Sequence, residues 1–279
     1  MSNNLSKIFF LTGSSRGLGR SLAQAILEAG HRLIATARQP KQLEDLVQRY
    51  GKSVLPLALD VTDYKQAQAA IQQGADHFDG LDVVINNAGS AVVGSVEDLA
   101  PDVFQEQVSL NFMGAIHVTK AAIPIFRKQG QGRLILVSSI GDRIATPGAS
   151  GYYASKWAVA GFAESLALEV GPLGIKVSAV EPGGMKTDFA EDTSLKVVPS
   201  NAVYDDTVGA TVRMMKSPDY AARLGDPAKV ANVILKVAGL EDPPLRLLIG
   251  NVTMHYAHTF DQARAATDEK WKELSALAD

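Results

Sequence analysis

Short runs of β-branched and aliphatic residues alternate with longer stretches of helical periodicity along almost the whole chain, and this alternation constrains the fold most. The runs are Ile8–Leu11, Arg32–Ala35, Ser53–Leu59, Asp82–Ile85, Arg133–Val137, Lys176–Val180 and Leu245–Ile249. Each is nearly continuous in apolar side chains, as strands covered on both faces are. The segments between them, such as Gly17–Ala29, Lys41–Tyr50, Asp63–His77, Val103–Lys128 and Gly151–Val170, repeat apolar residues at helical spacing. Strand–helix–strand units joined in this way build parallel sheets with right-handed crossovers. The expectation is one α/β domain over residues 1–279, a doubly wound seven-stranded parallel sheet with helices on both faces. Between Lys186 and Asp226 no strand is expected, and residues 186–226 read as a substrate loop or lid in which Phe189, Val197, Val198, Val203, Tyr204, Met214 and Met215 are scattered among charges. Residues 259–279 read as a helical tail, with an amphipathic helix over Thr259–Leu277.

Composition narrows the functional classes. With 27 basic and 30 acidic side chains, nothing in the charge argues for nucleic acid or an anionic membrane as a partner. There is no cysteine, which excludes disulfides, thiolate metal sites and cysteine nucleophiles and fits a reducing cytoplasm, the expected location. The start, Met1–Lys7, lacks the apolar core of a secretory signal, and no uninterrupted apolar run approaches the roughly 20 residues that span a bilayer. The five histidines form no cluster in the sequence; His255 and His258 read as a surface pair, and no metal is expected.

The first strand runs straight into Thr12-Gly13-Ser14-Ser15-Arg16-Gly17-Leu18-Gly19 and then a helix. Glycines permit positive φ and close backbone approach, and a helix N-terminus offers unpaired N–H groups to a pyrophosphate. The spacing is G-x-x-x-G-x-G, and no Gly-Lys-Ser/Thr follows as in a Walker loop. The turn alone also fits a methyltransferase with a nucleoside cofactor, or a turn with no ligand. At the end of the second strand, where a carboxylate would grip a ribose 2′-hydroxyl, the sequence reads Ala35-Thr36-Ala37-Arg38. Arg38, with Arg16 in the turn, suits a 2′-phosphate and favours NADP(H) over NAD(H). The other reading of both arginines is a solvated surface.

Tyr152 and Lys156 stand four residues apart on an expected helix and so share a face. A nearby ammonium favours a phenolate, which would let Tyr152 exchange a proton with an alcohol or carbonyl. Of the seven tyrosines only Tyr152 has a lysine at that spacing; Tyr153 has Trp157.

With these motifs in order, the sequence resembles the short-chain dehydrogenase/reductase family across nearly its whole length. The turn at Thr12–Gly19 is similar to that family's T-G-x-x-x-G-x-G, Asp60-Val61 to its adenine-contacting pair, and Asn86-Asn87-Ala88-Gly89 to its N-N-A-G. Asn111 occupies the place of the family's asparagine, Ser139 lies thirteen residues before Tyr152, and Pro182-Gly183 with Thr187 resembles its P-G-x-x-x-T. The resemblance implies a Rossmann-type fold and an NADP(H)-dependent carbonyl reductase or alcohol dehydrogenase. Its catalytic residues would be Asn111, Ser139, Tyr152 and Lys156. Tyr152 would be the acid/base, Lys156 would tune it and bind the nicotinamide ribose, Ser139 would hold the substrate oxygen, and Asn111 would hold a water linked to Lys156. Gly13, Ser15, Arg16, Gly17, Leu18, Gly19, Arg38, Asp60, Val61, Asn87, Ala88, Gly89, Pro182, Gly183 and Thr187 would join Tyr152 and Lys156 in binding the cofactor. It also implies a homodimer or homotetramer.

Two places depart from that pattern. Ile140-Gly141-Asp142-Arg143 follows Ser139, and Glu181 precedes Pro182 where Asn is common. Neither removes a catalytic group. The aliphatic, Met and aromatic residues of 186–226 point to a fairly apolar small-molecule substrate. The competing reading is a catalytically silent NADP(H)-binding redox sensor on the same fold.

Overall fold

The computed structural model describes residues 6–186 and 195–278. The strands in chain order are β1 Ile8–Leu11, β2 Arg32–Ala37, β3 Val54–Ala58, β4 Val83–Asn86, β5 Ala91–Val93, β6 Gly132–Val137, β7 Ile175–Pro182, β8 Leu195–Val197 and β9 Arg246–Ile249. Seven of them form one parallel sheet in the order β3-β2-β1-β4-β6-β7-β9. The order reverses between β1 and β4, and at such a switch point the connections leave to opposite sides and open a crevice at the carboxyl ends of the strands.

The helices are α1 Gly17–Glu28, α2 Glu44–Tyr50, α3 Tyr64–Phe78, α4 Pro101–Val108, α5 Gly114–Gln129, α6 Ser150–Val170, α7 Ala210–Met215, α8 Pro218–Arg223, α9 Pro227–Gly239, α10 Asn251–Lys270 and α11 Lys272–Ser275. Alternate side chains of one strand feed two cores. Phe10, Ile34, Val84 and Leu134 pack with α3, α5 and α6 on one face. Phe9, Leu33, Val83 and Ile135 pack with α1 and α9 on the other. This double burial explains why the strands read as unbroken apolar runs. The long helical run Pro101–Gln129 is apolar enough by composition to cross a membrane. In the fold it lies on the sheet, with Val118, Ala122 and Phe126 fully buried.

Three expectations are corrected. A strand does form between Lys186 and Asp226: β8 pairs in parallel with β5, Ala91 against Leu195 and Val93 against Val197. At three residues each, neither is long enough to show a pattern, and each exists through its distant partner. The single helix expected over Val103–Lys128 is interrupted by a π-helical segment at Ser109–Met113. The tail helix begins at Asn251 rather than Thr259, immediately after β9.

Candidate active site

The turn after β1 is built so that backbone can be approached closely. Gly13 has φ +68°, in the region that favours glycine, and a Cβ on Gly19 would stand 2.0 Å from the Gly13 carbonyl oxygen. The N-cap residue of α1, Arg16, makes no capping hydrogen bond with its side chain, and Gly17, Leu18 and Gly19 of the helix line a cleft together with Gly13, Ser15 and Arg16. The first N–H groups of a helix lack intrahelical partners and suit an anion.

Residues outside the expected set hold this turn in place. Thr12 Oγ1 accepts the backbone N–H of Asn87 at 2.8 Å and of Ala88 at 3.0 Å. The Asn87 amide donates back to the Thr12 carbonyl at 3.0 Å. Ser14 donates to Leu11 O and accepts from Thr36 N, tying the turn to β2. Thr12 and Ser14 are therefore braces across the switch point. Their signal in the sequence was their place inside the glycine turn.

Along the cleft, Arg38 is exposed at the end of β2, beside Ala37 and Gln42. Asp60 turns its carboxylate onto Thr62, accepting from the backbone N–H at 3.0 Å and the hydroxyl at 2.7 Å. Val61 is buried, and its carbonyl is 2.9 Å from His117 Nδ1. Ala88, Gly89, Pro182 and Gly183 line the same cleft. Thr187 lies outside the described residues.

The remaining candidates gather where β6 ends. The backbone of Ser139 is extended, and its hydroxyl accepts from Gly141 N–H at 3.1 Å. The neighbouring Ser138 is buried and donates to Asp142 at 2.5 Å, so the two serines have different tasks. Tyr152 and Lys156 occupy successive turns of α6, with Lys156 Nζ 5.8 Å from the Tyr152 ring centre. Lys156 Nζ donates to the Val137 carbonyl at 2.9 Å. Tyr153 is engaged elsewhere, its hydroxyl 2.8 Å from Thr146 Oγ1. The rings of both tyrosines crowd Gly141, where a Cβ would fall 2.6 Å from Tyr153 and 3.3 Å from Tyr152.

Asn111 sits in the π-helical segment, a feature frequent at functional sites. Its side chain is buried and bound to Ser90 and to Ser155 Oγ, the latter at 3.0 Å. A Cβ on Gly89 would lie 3.0 Å from Asn111 Oδ1 and 3.8 Å from Lys156 Nζ, so glycine keeps the space between them open. Asn86, by contrast, turns inward to Thr119 at 3.1 Å.

Burial dominates the electrostatics. It pushes the Tyr152 hydroxyl up to about 12, against an opposing contribution from Ser139. It pushes the Lys156 ammonium down to about 8, against the attraction of Asp142. The spacing argument led to the opposite direction for the tyrosine, a lowering by Lys156. Loss of hydration on burial is the largest cause, and Lys156 is not among the groups that shift it.

The cleft that unites these groups has a volume of about 2450 Å³. Its lining includes the apolar side chains of Val93, Ile144, Met185, Met214 and Phe260 and the ring of Tyr256, alongside charged ones such as Glu106, Lys216 and Arg223. The segment after β7 thus contributes to the wall. So does the C-terminal helix α10, which sequence reasoning had left without a role.

A short chain dehydrogenase family model matches residues 7–197. Over 272 residues the chain is 47% identical to the oxidoreductase BOA17 of Botryotinia fuckeliana, covering 97% of this chain and 98% of the relative. It is 35% identical to a 3-ketodihydrosphingosine reductase of Bacteroides thetaiotaomicron, covering 88% of each. Among solved structures, a short-chain dehydrogenase from Streptomyces avermitilis superposes with a TM-score of 0.91 at 32% identity, covering 98% of this chain and 99% of that one. An alcohol dehydrogenase from Thermococcus sibiricus, complexed with 5-hydroxy-NADP, shares the fold with a TM-score of 0.72 at 23% identity, covering 88% of this chain and 96% of that one.

Proposed function

The chain belongs to the short chain dehydrogenase family and is an oxidoreductase, and from that premise we propose that it is an NADP(H)-dependent carbonyl reductase acting on a fairly apolar ketone, with the corresponding secondary alcohol as its product. The observation that carries this reading is the convergence of Ser139, Tyr152 and Lys156 in one cleft with the glycine turn. When bound, the cofactor supplies the hydride.

Asp60 and Val61 would hold the adenine end of the cofactor, and Gly13–Gly19 would hold its pyrophosphate, in a turn where a side chain on Gly19 would collide with backbone. Arg38 and Arg16 would recognise the 2′-phosphate, since a guanidinium pairs well with a phosphate and the end of β2 carries no carboxylate. The Thermococcus sibiricus enzyme of the same fold was solved with an NADP derivative, which agrees with this choice.

Tyr152 is the acid. A hydroxyl held up to about 12 keeps its proton at neutral pH, as a donor to the developing alkoxide must. As the carbonyl is reduced, Tyr152 Oη gives its proton to the substrate oxygen, while the Ser139 hydroxyl holds that oxygen and stabilises its charge. Lys156, near the point of losing its proton at about 8, restores the tyrosine proton. Asn111, fixed in the π segment, shapes the floor beside Lys156. The apolar part of the cleft lining takes the rest of the substrate. A relative named 3-ketodihydrosphingosine reductase supports reduction of a keto group as the reaction.

The test is NADPH consumption with a graded series of aliphatic and aromatic ketones. Turnover should rise with the apolar character of the ketone, and Tyr152→Phe should lower kcat by about 10²- to 10⁴-fold while retaining NADPH binding. A Tyr152→Phe enzyme as active as the wild type would sink the assignment.

A further inference from the structure

The two departures noted in the sequence, Asp142 after Ser139 and Glu181 before Pro182, meet in space. Both carboxylates are fully buried, with 0% side-chain exposure. Glu181 Oε2 accepts from Arg143 Nε at 2.5 Å, and Glu181 Oε1 accepts from Arg246 Nε at 2.5 Å. The Arg246 guanidinium continues to Asp142 Oδ1 at 2.7 Å and to Glu164 on α6 at 3.0 Å. Asp142 Oδ2 accepts the Ser138 hydroxyl, whose oxygen also lies 3.5 Å from the backbone carbonyl oxygen of Lys156. The Asp142 backbone N–H donates to the Ser139 carbonyl at 3.0 Å. At the outer end, Arg264 of α10 donates to the Arg143 carbonyl at 2.6 Å and lies over the Trp157 ring at 5.3 Å.

Buried ion clusters of this kind are weak evidence for added stability, because desolvation offsets much of the attraction. What the cluster does provide is fixed geometry and a fixed charge. It ties β7, β9 and α6 to the turn that carries Ser139. The groups facing Asp142 are Glu181 on β7, Arg246 on β9, Arg143 on its own turn, and Lys156 and Tyr152 on α6. Among the described residues, Asp142 on the Ser139 turn is the carboxylate that acts on both Tyr152 and Lys156.

We propose that Asp142 is a positioning residue of the active site: through Ser138 and its own turn it fixes Ser139 against α6 and sets a buried carboxylate behind Lys156, with Glu181, Arg143 and Arg246 holding it there. The proposal rests on the roles given above to Ser139, Tyr152 and Lys156, but its test needs no turnover.

The experiment is an NMR titration of the full-length protein labelled at lysine Cε, with the Lys156 signal assigned from Lys156→Met. In the wild type the midpoint should lie near about 8. Asp142→Asn, which keeps the shape and removes the charge, should lower it by about half a pH unit or more. Arg246→Gln, which removes a cation that favours the charged form of Asp142, should also shift it, and this second variant keeps the proposal testable if Asp142→Asn does not fold. In parallel, Asp142→Asn should lower kcat for a reactive ketone by about tenfold with the KM for NADPH little changed. An unmoved Lys156 midpoint overturns the proposal even if ketones are reduced. Shifted midpoints without ketone turnover leave it standing and overturn the functional reading instead.

Discussion

The side chain of Asn111 and the backbone of Ser90 form a two-way amide pair, each accepting from the other at 2.9 Å. With the remaining amide proton given to Ser155, both donors of the Asn111 side chain are used within the protein, and Oδ1 keeps one further acceptor lone pair. Its contribution to the site is therefore to pin the π segment against the loop after β4. Asn111→Asp is the sharpest probe, because it replaces the donating NH₂ with an oxygen facing the Ser90 carbonyl and Ser155 Oγ. Two buried hydrogen bonds are lost and like dipoles are opposed, so a destabilisation of roughly 2–4 kcal/mol is expected in urea unfolding. Asn111→Ala should cost less, because it leaves the Ser90 groups without setting an anion against them.

Gly19→Ala is expected to remove cofactor binding. The added Cβ would lie 2.0 Å from the Gly13 carbonyl oxygen and 2.6 Å from the Asn87 amide nitrogen, so the turn and the brace behind it must both move. Isothermal titration with NADPH should show at least about a hundredfold loss, equivalent to about 2.7 kcal/mol. Gly30→Ala is not a useful control, because its φ of +80° strains any side chain. Gly161→Ala, on α6 with open space around its position, is the appropriate one.

Arg38→Ala should separate the two dinucleotides. Losing a charge-assisted contact to a phosphate costs about 1.5–3 kcal/mol, or roughly 10- to 150-fold in affinity. That loss should fall on NADPH, while NADH, which lacks the 2′-phosphate, should change little. An equal loss for both would mean that Arg38 does not contact the phosphate.

The sheet was legible in the sequence because doubly covered strands such as Val83–Asn86 and Gly132–Val137 carry their burial in their composition. That Tyr152 and Lys156 share one helix a turn apart was legible as a spacing along one chain segment. What escaped depends on partners distant in sequence. The strand Leu195–Val197 exists because Ala91–Val93 lies beside it. The cluster of Asp142, Glu181 and Arg246 joins positions separated by as many as 104 residues, so each appeared alone as an oddity of local pattern. The π segment at Asn111 is a shift in backbone hydrogen bonding that no side-chain periodicity records. The pKa direction of Tyr152 was misread because spacing supplies the neighbour but not the burial.

The burial of Lys156 also has a stability signature. Its folded value of about 8 lies below the ordinary 10.5, so between these limits the unfolded chain binds more protons than the folded one. Stability from this group therefore rises with pH across that window, and below about 8 the folded protein carries the full cost of a buried ammonium. Lys156→Met removes the titration and retains the aliphatic body. At neutral pH the variant should melt at or above the wild-type temperature, and the gap should close as pH rises from about 8 toward 10.5. The comparison is a series of thermal melts of both proteins over that range. A gap that is constant with pH would show that Lys156 titrates no differently in the folded and unfolded chains.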